Sequence, residues 1–127
     1  MNEEWIYQDL TEKIIGAAIE VHRHWGPGLY EEIYERSLSR ELELQGLSFD
    51  RQLALPLLYK GHQVGDELFL DVWVEQKVVI ENKVVKELLP IHEAQLLTYM
   101  RLTNSRVGLL INYNNTVIHK GIRRLVL

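Results

Sequence analysis

Two short apolar runs, Leu68 to Val74 and Val78 to Val85, stand only Glu75-Gln76-Lys77 apart, and both are rich in β-branched residues. Runs that are apolar on both faces are expected of central strands covered by helices. Three charged residues interrupt them: Asp71 in the first, Glu81 and Lys83 in the second. Burial would penalise each of these charges. Alternate residues of a strand share a face, so Glu81 and Lys83 project the same way. If the runs form a hairpin with a three-residue turn, Val74 lies opposite Val78, and Asp71 lies opposite Glu81 on one face. A two-residue turn would part the carboxylates, because a one-residue slip sends side chains to the other side.

Two carboxylates close together beside an amine make an oxygen-ligand pocket for Mg2+ or Mn2+, with water in the remaining positions. A cation there polarises a phosphoryl oxygen and lowers the pKa of its bound water, while Lys83 orients that water or stabilises developing charge. The pattern therefore predicts phosphodiester hydrolysis. A plain Glu81–Lys83 or Asp71–Lys83 ion pair with no ligand would satisfy the same residues.

The flanking segments supply helices. Asp9 is predicted to cap a first helix, with Glu12 three positions on and Leu10, Ile14, Ala17, Ala18 and Val21 at helical spacing. Gly26-Pro27-Gly28 ends it. A second helix is predicted from about Leu29 to Gln45, with Ile33, Leu38 and Leu42 inward and Gly46 as its stop. Phe49, Leu53, Leu55 and Leu57 then share one face of an extended segment, with Pro56 marking an edge or a bulge. Lys60-Gly61 reads as a turn. Pro90 opens a third helix ending near Leu102, Arg106 to Tyr113 is a strand, Asn114-Asn115 turns, and Thr116 to Leu127 is extended. The economical architecture is an α/β one, a single mixed sheet flanked by helices, over one domain spanning residues 1–127.

Composition narrows the function classes. The absence of cysteine excludes disulfides, thiolate zinc sites and cysteine nucleophiles. With no export signal and no stretch of roughly 18 apolar residues, a cytoplasmic protein without membrane attachment is expected. A formal net charge of −4 counts against a global basic field for nucleic acid, so phosphate contacts fall to local cations: Lys86, Arg51, Arg101, Lys120, Arg123 and Arg124. His22 and His24, at i and i+2 on a helix, do not face one another and read as structural. His92 and His119 have no evident partners.

Gly28-Leu29-Tyr30-Glu31-Glu32-Ile33-Tyr34 reads G-x-x-E-x-x-Y. Together with the helix from Lys13 to His22, the Gly26-Pro27-Gly28 turn, Asp71 and Glu81-x-Lys83, it resembles the GxxExxY protein family of the PD-(D/E)XK nuclease superfamily, over about Leu10 to Leu127. Gln95-x-x-x-Tyr99 is similar to the motif that follows E-x-K in RecB-type members. The resemblance implies a restriction-endonuclease-like core, Asp71 and Glu81 as metal ligands, Lys83 as the catalytic lysine and Glu31 as a further acidic ligand, direct or through water. Gln95 and Tyr99, one helical turn apart, would steady Lys83, the metal-bound water or a substrate phosphate. Tyr34 reads as a core aromatic with a satisfied hydroxyl. The sequence departs from the family at Asn82, where an aliphatic residue is usual, and near Phe69, where many members carry a basic one.

Three functions are compatible with these residues. The first is a metal-dependent nuclease acting on DNA or RNA. The second is a catalytically silent nuclease-fold module that binds or assembles with a partner, and the third is a hydrolase of a small phosphorylated molecule. A short final strand could also pair with a second copy to give a homo-oligomer.

Overall fold

The computed structural model describes residues 5–127. Helix α1 spans Gln8–Trp25 and buries Ile14, Ala17, Ala18 and Val21, the apolar stripe its periodicity predicts. Its start differs from expectation. Tyr7 takes the cap position with φ 55° and no side-chain cap bond, and Asp9 lies inside the first turn, where the helix dipole favours an acid. Gly26, at φ 67°, closes the helix by donating its N–H to His22 O at 2.7 Å.

Helix α2 covers Glu31–Leu44, shorter than predicted because Tyr30 is extended. Its inward stripe is Tyr34, Leu38 and Leu42, while Ile33 is exposed. The i, i+4, i+8 row begins one residue later than the sequence suggested, since Tyr34 is the bulkier group to bury. Gly46 follows at φ 74° and its N–H bonds Glu43 O at 2.9 Å, the left-handed stop that glycine supplies readily.

The strands are β1 (Phe49–Leu55), β2 (Leu58–Tyr59), β3 (His62–Gln63), β4 (Leu68–Val74), β5 (Val78–Lys83), β6 (Val107–Asn112) and β7 (Ile122–Val126), with helix α3 (Pro90–Leu102) between β5 and β6. The main sheet runs β1-β4-β5-β6-β7, and all its pairs are antiparallel except β5 with β6. A parallel pair needs a crossover, and α3 lies within it. β2 and β3 form a separate small hairpin around Lys60 and Gly61, whose φ values of 51° and 83° suit a tight turn. The last segment is not uniformly extended: a 3-10 turn at Ile118–Gly121 precedes β7. β5 ends at Lys83, short of Val85, where the chain leaves the sheet.

Helices α1 and α2 cover one face, where Ile14, Tyr34 and Leu38 meet Val72, Ile80 and Leu109. α3 covers the other, with Leu96 and Met100 against Leu70, Val79 and Leu110. Each fully buried side chain of this kind contributes about 1.5–3 kcal/mol before entropy is counted. Gly108 of β6 brings α3 close: a Cβ there would stand 2.7 Å from Met100 Sδ and 2.9 Å from Leu96 Cδ1. Among the described residues no helix is long and apolar enough to cross a membrane.

Candidate active site

The β4–β5 hairpin has the predicted register, with Val74 opposite Val78 across Glu75-Gln76-Lys77. Ladder pairing reaches Val72 opposite Ile80, and beyond it side chains enter the ladder. The Asp71 N–H donates to Glu81 Oε1 at 3.3 Å, and the Asn82 N–H donates to Asp71 Oδ2 at 2.9 Å. Both carboxylates thus sit between the two strands at one level and on the same site, and both are buried.

The alternation of faces changes at this level. Val72 and Val74 of β4 pack with the α1–α2 core, whereas Leu68 and Leu70 pack with the α3 core. β1 makes the same switch: Phe49 joins the first core, Leu53 and Leu55 the second. The expectation of one shared face for Phe49, Leu53, Leu55 and Leu57 is therefore corrected. Gln52, at φ 50°, lies at the switch in β1 and Asp71 at the switch in β4.

Lys83 projects on the Glu81 side, with Nζ 3.9 Å from Glu81 Oε2. Its charge also acts on Asp71 and on Glu31, at the start of α2. Burial raises the Glu31 carboxyl above its ordinary range, Lys83 draws it back, and Glu35 adds repulsion. Burial likewise lifts Asp71 to about 6, with the Asn82 N–H opposing and Glu35 and Glu31 adding to the rise. Glu81 is pushed up to about 8, first by burial and then by the Asp71 charge. Two buried carboxylates with so weak a hold on negative charge, and no sulfur donor nearby, form a donor set suited to a hard divalent cation. Among the described residues no three His, Asp or Glu side chains form a preassembled metal cluster.

Tyr99 of α3 is half-buried, and its hydroxyl is raised by burial and then by the Glu81 and Asp71 charges. Tyr99 thus lies within electrostatic range of the carboxylates, on the α3 side of the sheet. Gln95 is exposed, and among the described residues no hydrogen bond ties it to Lys83.

G-x-x-E-x-x-Y has a structural account. Tyr34 is fully buried, stacks on Tyr113 with centroids 4.6 Å apart, donates to Gly26 O at 2.5 Å and accepts from Leu29 N–H at 3.1 Å. Its hydroxyl fastens the turn that delivers Glu31. His22 is structural as expected, with Nε2 2.7 Å from Asn115 O, whereas His92 does have a partner, its Nδ1 accepting from Leu89 N–H at 2.9 Å at the start of α3.

Among the proposed phosphate contacts, Arg51 is not a free surface cation: it pairs with the buried Glu35 at 2.8 Å. Arg124 bonds Ile6 O at 2.5 Å, and Arg123 bonds Lys120 O at 3.1 Å. Lys86, Arg101 and Lys120 are exposed. Glu35 and Gln52 escaped sequence reading. The signal that could have found Glu35 is its i, i+4 spacing from Glu31, which puts both on one side of α2.

A family model described as the PD-(D/E)XK nuclease superfamily matches residues 8–125. No curated protein and no solved structure matches the chain. The five-stranded mixed sheet with its three helices is consistent with that superfamily's fold.

Proposed function

The chain belongs to the PD-(D/E)XK nuclease superfamily, and from that membership we propose that it is a Mg2+- or Mn2+-dependent nuclease, a single catalytic domain of the GxxExxY type acting on DNA or RNA in the cytoplasm. One observation carries the reading: Asp71 and Glu81 are buried together where β4 and β5 part, with Lys83 Nζ 3.9 Å from Glu81. Nothing in the core calls for three charges there, and burying them costs stability that packing alone would not repay.

In this reading Asp71, Glu81 and Glu31 hold the cation, with waters completing its shell. The bound cation would supply polarisation of a phosphoryl oxygen and acidification of water. Lys83, 3.9 Å from Glu81 and acting by its charge on Asp71 and Glu31, orients the attacking water and offsets charge on the phosphate. Tyr99 of α3, within range of the same carboxylate charges, steadies that water or a phosphate oxygen, with Gln95 one turn away at the solvent edge. Exposed Lys86 and Lys120 contribute local attraction without a global basic field.

A second reading, a catalytically silent binding module, is favoured by one observation: an oxygen of each carboxylate already accepts a backbone N–H, from Asn82 and from Asp71. The test offers single-stranded DNA, duplex DNA and RNA to the purified protein with Mg2+ or Mn2+, beside Asp71→Ala and Lys83→Ala. Metal-dependent cleavage lost in both variants supports the nuclease. Binding of any of these nucleic acids without cleavage in either metal refutes it and supports the module.

A further inference from the structure

Arg51 and Gln52 are consecutive residues of β1, and consecutive residues of a regular strand point to opposite faces. Here both reach one carboxylate. Arg51 Nη2 and Nε donate to Glu35 Oε2 at 2.8 and 3.2 Å, while Gln52 Nε2 donates to Glu35 Oε1 and Oε2 at 3.0 and 3.1 Å. The backbone permits this because Gln52 takes φ 50°, a left-handed conformation rare for L residues within a strand. No residue has been inserted: Arg51 pairs with Val72 and Leu53 with Leu70 on either side. Gln52 therefore stands opposite Asp71, and the same amide nitrogen lies 3.4 Å from Asp71 Oδ1. The other Asp71 oxygen accepts the Asn82 N–H.

We propose that Gln52, turned inward by its left-handed backbone and anchored on the Arg51–Glu35 pair, is a positioning residue that fixes the carboxylate of Asp71 for the adjoining site. This rests on the reading of Asp71 as a metal ligand. A residue needed only for its backbone would be better served by glycine or asparagine, which accept this φ more readily. Glutamine at that place is explained by its amide, long enough to span Glu35 and Asp71. Strain accepted at one residue beside a site, and offset by bonds to that site, is the pattern of a functional constraint. Glu35 itself is 4% exposed, and its charge is met by Arg51, so it serves as the fixed post rather than as a ligand. An open cleft lined by Glu31, Glu35, Arg51 and Gln52 gives solvent access to the arrangement.

The test titrates Mn2+ into the intact chain and follows its melting temperature, comparing wild type with Asp71→Ala, Gln52→Gly and Gln52→Asn. Glycine relieves the backbone and removes the amide, while asparagine tolerates the backbone but is one methylene too short. Wild type is expected to be stabilised and Asp71→Ala not. Both Gln52 variants should melt within a few degrees of wild type without metal, yet need about 10–100 times more Mn2+ for the same shift, the usual effect of losing a partner that orients a ligand. In DNA cleavage kcat should fall in both while KM is unchanged. Gln52 titrations that superimpose on wild type overturn this proposal alone. Absence of any Mn2+ effect in wild type overturns the metal reading and this proposal with it. If Gln52→Gly is destabilised, Gln52→Asn carries the same comparison.

Discussion

Glu81→Gln removes one of two buried negative charges while keeping the shape of the side chain and the oxygen that accepts the Asp71 N–H. In the folded, metal-free protein Glu81 is held at about 8 against an ordinary value of 4.5. A raised carboxyl means that the native state binds the proton more tightly than the unfolded chain. Its contribution to stability is full below about pH 4.5 and is lost as pH rises through about 8. At about 1.4 kcal/mol per pKa unit the ceiling on that loss is roughly 5 kcal/mol, and relaxation with water entry around the carboxyls brings the expected figure to about 2–4 kcal/mol. With an unfolding entropy of about 2.1 cal/mol/K per residue over 127 residues, that corresponds to roughly 7–15 °C in melting temperature. Thermal melts by circular dichroism in chelator should show Glu81→Gln more stable than wild type by that margin at pH 9, with the two converging at pH 5. Comparing variant with wild type cancels the histidines that titrate across the same range. A variant no more stable than wild type at pH 9 would refute the picture of a site that gives up stability to keep two carboxylates together. The same variant should bind Mn2+ more weakly, so that stability and metal affinity move in opposite directions.

Asn82→Val should stabilise the protein by about 1–2 kcal/mol in denaturant titration, because Asn82 is fully buried with neither side-chain polar atom bonded. A destabilised variant would point to a polar partner for that amide. Tyr34→Phe should cost about 1–3 kcal/mol, since the Gly26 carbonyl and Leu29 N–H lose their shared partner; measured alongside, weaker Mn2+ binding would show that the turn positions Glu31. Gly108→Ala should cost about 1–3 kcal/mol by forcing α3 away from β6, and an unchanged melting temperature would mean that Met100 and Leu96 repack freely.

The sequence made the β4–β5 hairpin legible because two independent signals agreed, the apolar runs and the three-residue spacer, and charge within those runs marked Asp71, Glu81 and Lys83. Helix α3 was legible from Pro90 to Leu102 because proline at a first turn and the apolar spacing both pointed there. Ile33 and Tyr34 are both large and apolar, and the i, i+4, i+8 spacing of Tyr34, Leu38 and Leu42 together with the stacking on Tyr113 puts Tyr34 inward and leaves Ile33 exposed. Nothing local forecast the left-handed Gln52, because glutamine has no preference for that conformation and the bonds that hold it there come from α2 and β4. Arg51 reads as a surface cation in the sequence for the same reason: its partner Glu35 is sixteen residues away.

Arg51 and Gln52 lie together where β1 departs from a regular strand, and the reason is physical. A regular β1–β4–β5 ribbon would satisfy its backbone with ladder bonds alone. Here the ladder is interrupted at the level of residues 52, 71 and 81, carboxylate oxygens take N–H groups of Asp71 and Asn82, and the sheet changes which core it feeds above and below that level. Local propensity describes the two intact halves of the ribbon well. The break between them is held by Glu35 of α2 on Arg51 and Gln52, by Gln52 beside Asp71, and by the two carboxylates, each accepting an N–H from the neighbouring strand, and it buries Asp71 and Glu81 at one level. A site formed by interrupting a sheet is therefore the least predictable part of the chain and the part where stability and function are most directly opposed.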